Sequence, residues 1–214
     1  MFTYPKFDVE ITREIDPETL GWPERGKAQD DSGLGGNRCY ADLRGLTWDE
    51  ADRVARLECE LVARIESASD PVAEYAAIED ELYETDADVY GLDLGVASAV
   101  IALSAVGCVP CASCNAGAFG GSHHEGYPLV VFFARPAASE LLLEAAAEAE
   151  IGIAGGDSLV AYADDIRKMM RFASCMRARS SLFRAARSNI ARPVSSSKFE
   201  PERDTGQSKL DFGS

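Results

Sequence analysis

The chain has 214 residues, 46% hydrophobic and 27% charged, enough apolar side chain for a packed core and too much for a globally disordered chain. Thirty-six acids against 21 bases give a formal net charge of −15, which excludes a protein that coats nucleic acid with its whole surface. Met1 to Glu10 carries Lys6, Asp8 and Glu10 and no apolar run, so no secretory signal is expected.

Four regions are expected in chain order. Residues 1–46 read as irregular: Phe7 to Ile11 alternates like a short strand, and Pro17, Pro23 and the run Gln29 to Asn37 read as turns and loop. Residues 47–165 read as an α+β core that opens with a helical hairpin. Thr47-Trp-Asp-Glu50 is a capping box, and Val54, Leu57, Leu61 and Ile65 follow at helical spacing. Asp70-Pro71 restarts the pattern as cap and first helical position, with Val72, Tyr75, Ile78 and Leu82 as the apolar stripe. Asp93 predicts the cap of a helix over 94–106, apolar nearly all round and therefore buried, with Gly107 at its left-handed end.

Val109 to Ser113 predicts a short strand, and Tyr127 to Ala134 a central one covered on both faces. Pro136 opens a helix over 137–149 with the stripe Leu141, Leu142, Ala145 and Ala149. Ile151–Ala154, Gly155-Gly156 and Ser158–Tyr162 read as strand, tight turn and strand. The order helix, strand, strand, helix, strand, strand predicts a sandwich of the ferredoxin-like type.

Residues 166–192 predict one amphipathic helix with the stripe Ile166, Met169, Met170, Ala173 and Met176. From 166 to 199 the chain carries nine basic residues and no acid. Arg167 and Arg171 are candidates for nucleic-acid phosphates, the alternative being that the helix packs against the chain's own acids. Residues 193–214, rich in Ser, Pro and charge, read as a disordered tail. The uncharged stretch Gly95 to Ser122 contains an apolar part, Val96 to Val109, that is too short to span a bilayer, so no membrane insertion is expected.

The informative cluster is Cys108-Val-Pro-Cys111-Ala-Ser-Cys114-Asn115, the glycine-rich run to Ser122, and His123-His124-Glu125. It holds three of six cysteines and both histidines. In a chain of this size the cysteines read as reduced thiols of a cytoplasmic protein rather than as a disulfide framework. Side chains alternate along a strand, so Cys108 and Cys111 point to opposite faces, while Cys114, past the strand end, is the thiol best placed to meet an imidazole. Three readings compete. Zinc is held by cysteine and histidine, with Cys111, Cys114, His123 and His124 as ligand candidates. Alternatively Cys114 is an activated nucleophile, with His124 (or His123) as base and Glu125 orienting the ring. In the third, the thiols are small core hydrophobes and the His-His-Glu run is a solvated loop. Whether the chain is an enzyme stays open.

Asp93-Leu-Gly-Val96, the apolar helix, and Ser113-Cys114-Asn115-Ala-Gly117 at a strand end resemble the wybutosine-synthesis tRNA methyltransferases, which carry a Ser-Cys-Ser-Gly type motif after a comparable helix and strand. The likeness covers residues 93–135. It implies methyl-donor and tRNA binding and carries over Ser113, Cys114 and Gly117, and Asn115 and Gly117 are the cofactor-binding candidates of this loop. In the tail, Gln207-Ser-Lys-Leu210-Asp-Phe212 resembles the peptide by which bacterial replication and repair proteins hold the sliding clamp. With the basic helix it supports an alternative function, a non-catalytic accessory protein of nucleic-acid metabolism. Assembly into an oligomer through apolar strand and helix faces is a further reading.

Overall fold

The computed structural model describes residues 2–23, 43–84, 89–121, 123 and 125–190, with the backbone alone at 83, 84 and 188–190. The sequence positions His124, Gln207, Leu210 and Phe212 lie outside the described residues. The elements are α1 (Trp48–Ser67), α2 (Pro71–Glu84), α3 (Ala97–Val106), β1 (Val109–Cys114), β2 (Leu129–Phe133), a 3-10 turn (Pro136–Ala138) running into α4 (Ser139–Ala149), β3 (Gly152–Gly155), β4 (Leu159–Tyr162), α5 (Ile166–Ala178) and α6 (Ser180–Ile190). The chain is α+β, with a four-stranded antiparallel sheet in the order β1-β2-β4-β3. Among the described residues, no helix is long and apolar enough to cross a membrane.

Local chemistry explains most boundaries. The capping box forms as its spacing requires. The Glu50 N–H donates to Thr47 Oγ1 at 3.3 Å, and the Thr47 N–H donates to Glu50 Oε2 at 2.8 Å. Asp70 Oδ1 accepts from the Ala73 N–H at the start of α2. Gly107 ends α3 at φ 95°, a left-handed conformation that costs glycine least.

All ten residues of α3 are buried, and the helix packs against α1, α5 and the sheet. The core-facing side of the sheet carries Val130, Phe132, Leu159, Ala161 and Ile153, each 0% exposed. At about 1.5–3 kcal/mol per large apolar side chain removed from water, this face is the chief driving force of the core.

Three expectations need correction. First, α3 begins at Ala97, not at 94, and Asp93 does not cap it. The N–H groups at its start are met from another helix. Glu58 of α1, 0% exposed, accepts from the Gly95 N–H at 2.7 Å and the Ser98 N–H at 3.3 Å. Second, Phe7 to Ile11 forms no strand. The N-terminal segment is a strap beside β3: the Ile153 N–H donates to the Thr12 carbonyl, the Glu14 N–H donates to the Ile153 carbonyl, and Arg13 makes a single parallel bridge to Ile153. Third, the basic helix is two helices, broken at Arg179 (φ −97°, ψ 11°). The break lets α6 turn and bury Phe183, 2% exposed, against the end of α3 and the 3-10 turn.

The arginines of α5 meet the chain's own acids. Arg167 lies 2.6 Å from Asp165 and over the Tyr4 ring, Arg171 lies 3.5 Å from Glu150, and Arg177 lies 2.7 Å from Asp52. Arg179, at the break, lies 2.7 Å from Glu148 and 3.4 Å from Glu144.

Candidate metal site at the end of the first strand

β1 ends at Cys114 and the chain turns at once. Asn115 makes the turn with its own side chain: Oδ1 accepts from the Gly117 N–H at 2.9 Å, and Nδ2 donates to the Leu94 carbonyl at 3.1 Å and the Tyr75 hydroxyl at 3.3 Å. The residue is 0% exposed, so its polar atoms are consumed inside the fold. Phe119 then anchors the loop. It is 1% exposed and meets the rings of Tyr75, Tyr4 and Phe2 at centroid distances of 5.5, 5.9 and 6.2 Å.

The glycines make room for a ring. Gly117 (φ 71°) and Gly121 (φ 86°) flank the His123 imidazole. A Cβ on Gly117 would lie 3.3 Å from Cδ2, and one on Gly121 would lie 3.4 Å from Nε2. A side chain at Gly117 would press on the ring, one at Gly121 would touch it, and either would strain the backbone.

Held in that slot, His123 turns Nδ1 toward two other groups. Cys114 Sγ lies 3.4 Å from Nδ1, and Asp93 Oδ2 lies 3.8 Å from it. Asp93 is fixed in turn by the Asn115 N–H, which donates to Oδ2 at 3.1 Å. The three donor atoms lie within 4.8 Å of one another, and the group could hold a metal ion. The Cys114 thiol is nearly buried, whereas the His123 and Asp93 side chains keep 17% and 32% of their surface, so the cluster opens on one side.

Burial pushes the Cys114 thiol above its ordinary range, and the charges of Asp93 and Glu125 push the same way. The backbone N–H groups of Ala116 (3.3 Å from Sγ) and Glu125 pull against them. Without a cation, then, sulfur is held as thiol.

Of the sequence candidates, the structure brings Cys114 and His123 together. It does not bring Cys111 to them. Cys111 sits at a bulge in β1, packs beside Val109 and Phe133, and donates its thiol to the Val131 carbonyl at 3.5 Å. Glu125 acts on the sulfur, through its backbone N–H and the charge of its carboxylate. Cys108 lies in the core on the far side of Pro110, and burial pushes its thiol up to about 12. Asn115 and Gly117 shape the loop, through the bonds given above.

Sequence reasoning missed Asp93, having spent it on a helix cap. Gly95 two residues later was the available signal: at φ 91° it cannot lie inside a helix, so the helix starts beyond it and the carboxylate is released toward the strand end.

Compared with known proteins, the chain matches no family model, no curated protein and no solved structure.

Proposed function

We propose that the protein binds one divalent metal ion, zinc by the chemistry of its donors, through Cys114 Sγ, His123 Nδ1 and Asp93 Oδ2. One observation carries this reading: thiol sulfur and carboxylate oxygen address the same imidazole nitrogen. In a base-assisted nucleophile the carboxylate orients the ring from the opposite nitrogen, so that the first is free to take the thiol proton. Here both partners crowd Nδ1 and neither reaches Nε2. Donors around one tetrahedral zinc, with bonds of about 2.0–2.3 Å, stand about 3.4–3.6 Å apart. The 3.4 and 3.8 Å separations from Nδ1 are close to that frame, and all three donors lie within 4.8 Å of one another.

A mixed sulfur, nitrogen and oxygen set suits zinc better than calcium or magnesium, which take oxygen. Three protein ligands with an open side match the pattern of zinc sites that keep a fourth position for water or substrate. The antiparallel sheet supports a ferredoxin-like reading of the scaffold. Its order, β1-β2-β4-β3, is that of the split βαββαβ sheet with its first strand moved to the end of the chain.

Elemental analysis after loading with zinc and desalting tests the reading. One equivalent in the wild type and none in Cys114→Ser or Asp93→Asn is the expected result. Retention of zinc by both variants, or none in the wild type, overturns it. The rival in which Cys114 is a nucleophile predicts instead a wild-type protein that takes no metal and reacts with iodoacetamide at Cys114 far faster than at Cys59.

A further inference from the structure

A second concavity lies on the other side of the core, about 340 Å³ in volume, where Trp22 of the N-terminal segment, the end of α3, the turn after β2 and α6 meet. Its floor is apolar: Val106, Ala138, Phe183 and Ala186, with the buried Cys108 below. Two arginines rim it, and among the described residues no acid lines it. In a chain with a net charge of −15 this is a local inversion of sign.

The two arginines differ from those of α5. Arg167, Arg171 and Arg177 each sit on a carboxylate. Arg135 instead lies flat over the Trp22 ring, its guanidinium carbon 3.9 Å from the centroid. Arg187 rests on Gly107, where a Cβ would come within 3.0 Å of its Nε, and among the described residues it donates to the Ala105 carbonyl at 3.4 Å and sits on no carboxylate. Both guanidiniums are thus held in place by a ring or a bare backbone, and both keep donors to spare. Trp22 remains 40% exposed beside them.

We propose that this pocket binds a small anion with an apolar or aromatic body, the anionic head being a phosphate or a carboxylate held by Arg135 and Arg187. A guanidinium presents paired N–H donors that match either oxyanion. The body packs on Phe183, Val106 and Ala138 beside the Trp22 ring, and the volume limits it to a small molecule.

Trp22 reports on its own pocket once Trp48, the second tryptophan, is replaced by Phe. In that background we would titrate full-length protein with phenyl phosphate, benzoate, inorganic phosphate and benzyl alcohol and follow the emission. Phenyl phosphate or benzoate is expected to shift it saturably, and whichever binds more tightly identifies the head. Arg135→Gln and Arg187→Gln, both at exposed positions, are each expected to weaken that aryl anion about tenfold with unchanged circular dichroism. Benzyl alcohol and inorganic phosphate, each lacking one half of the ligand, are expected to bind about tenfold more weakly than the preferred anion. No saturable response to either aryl anion up to about 10 mM overturns the proposal. So does an unchanged titration in the double arginine variant, or inorganic phosphate binding as tightly as phenyl phosphate.

Discussion

Cys114, His123 and Asp93 come from three separate places: a strand end, a loop and the turn before a helix. Each is fixed by a different device, and each device can be tested alone. Replacing any of the three donors is expected to weaken zinc by more than about a hundredfold in a competition titration with a chromogenic chelator, since losing a ligand exceeds the cost of losing its support. Cys111→Ser is expected to leave the affinity within about twofold of wild type, because its sulfur bonds a strand carbonyl and not the cluster. Gly117→Ala is the sharper probe. It forces a side chain to φ 71° and brings a methyl against the imidazole, so it is expected to cost about 1–2 kcal/mol in urea denaturation and to lower zinc affinity too. The thiol and the imidazole were legible in the sequence because cysteines, histidines and glycines cluster there. Asp93 was not, because an acid before an apolar run reads as a cap unless Gly95 is taken as the true break.

At the scale of elements, two carboxylates end helices in different ways. Glu58 closes α3 from the neighbouring helix. Burial pushes its carboxyl above the ordinary carboxylate range, against the pull of the N–H groups it accepts from. Removing it leaves the Gly95 and Ser98 N–H groups buried and unpaired, so Glu58→Ala is expected to destabilise the fold by about 3 kcal/mol in urea denaturation, and Glu58→Gln by less. The spacing Val54, Glu58, Leu61, Ile65 puts Glu58 on the buried stripe of α1, but spacing alone does not show that its carboxylate meets the N–H groups at the start of α3.

Asp165 is the reverse case. It caps α5 and pairs with Lys6 and Arg167 at 2.9 and 2.6 Å. Burial opposes its charge, but the bonds from Arg167 and Lys6 win and hold the carboxyl well below its usual range. A depressed carboxylate adds stability above its unfolded value of about 3.9 and loses it as the pH falls toward the folded value. Asp165→Asn is therefore expected to be less stable than wild type at pH 7, with the gap narrowing below about pH 4, in thermal melts across that range.

Over the whole molecule, the N-terminal strap links the sheet to the site. Thr12 and Glu14 bond to β3, Tyr162 bonds Thr12, and Phe2 and Tyr4 pack on Phe119 beneath the glycine loop. Tyr4, 8% exposed, also reaches Glu66 at the end of α1 at 2.7 Å. Tyr4→Ala is expected to cost about 3 kcal/mol in chemical denaturation and to loosen zinc binding from a distance. The helices and strands of the core were readable from hydrophobic period and turn residues. The strap was not, because its order comes from contacts 62 or more residues away in sequence and from no pattern of its own.

The most direct measurement is the absorption spectrum of the cobalt-substituted protein. A thiolate bound to Co²⁺ gives a charge-transfer band, and tetrahedral coordination gives intense visible bands. We expect both to saturate at one Co²⁺ per chain, to disappear on adding one equivalent of zinc, and to be absent in Cys114→Ser. A spectrum of hexaaqua cobalt in the wild type, or a charge-transfer band that survives Cys114→Ser, would contradict the assignment of Asp93, Cys114 and His123 as one metal centre.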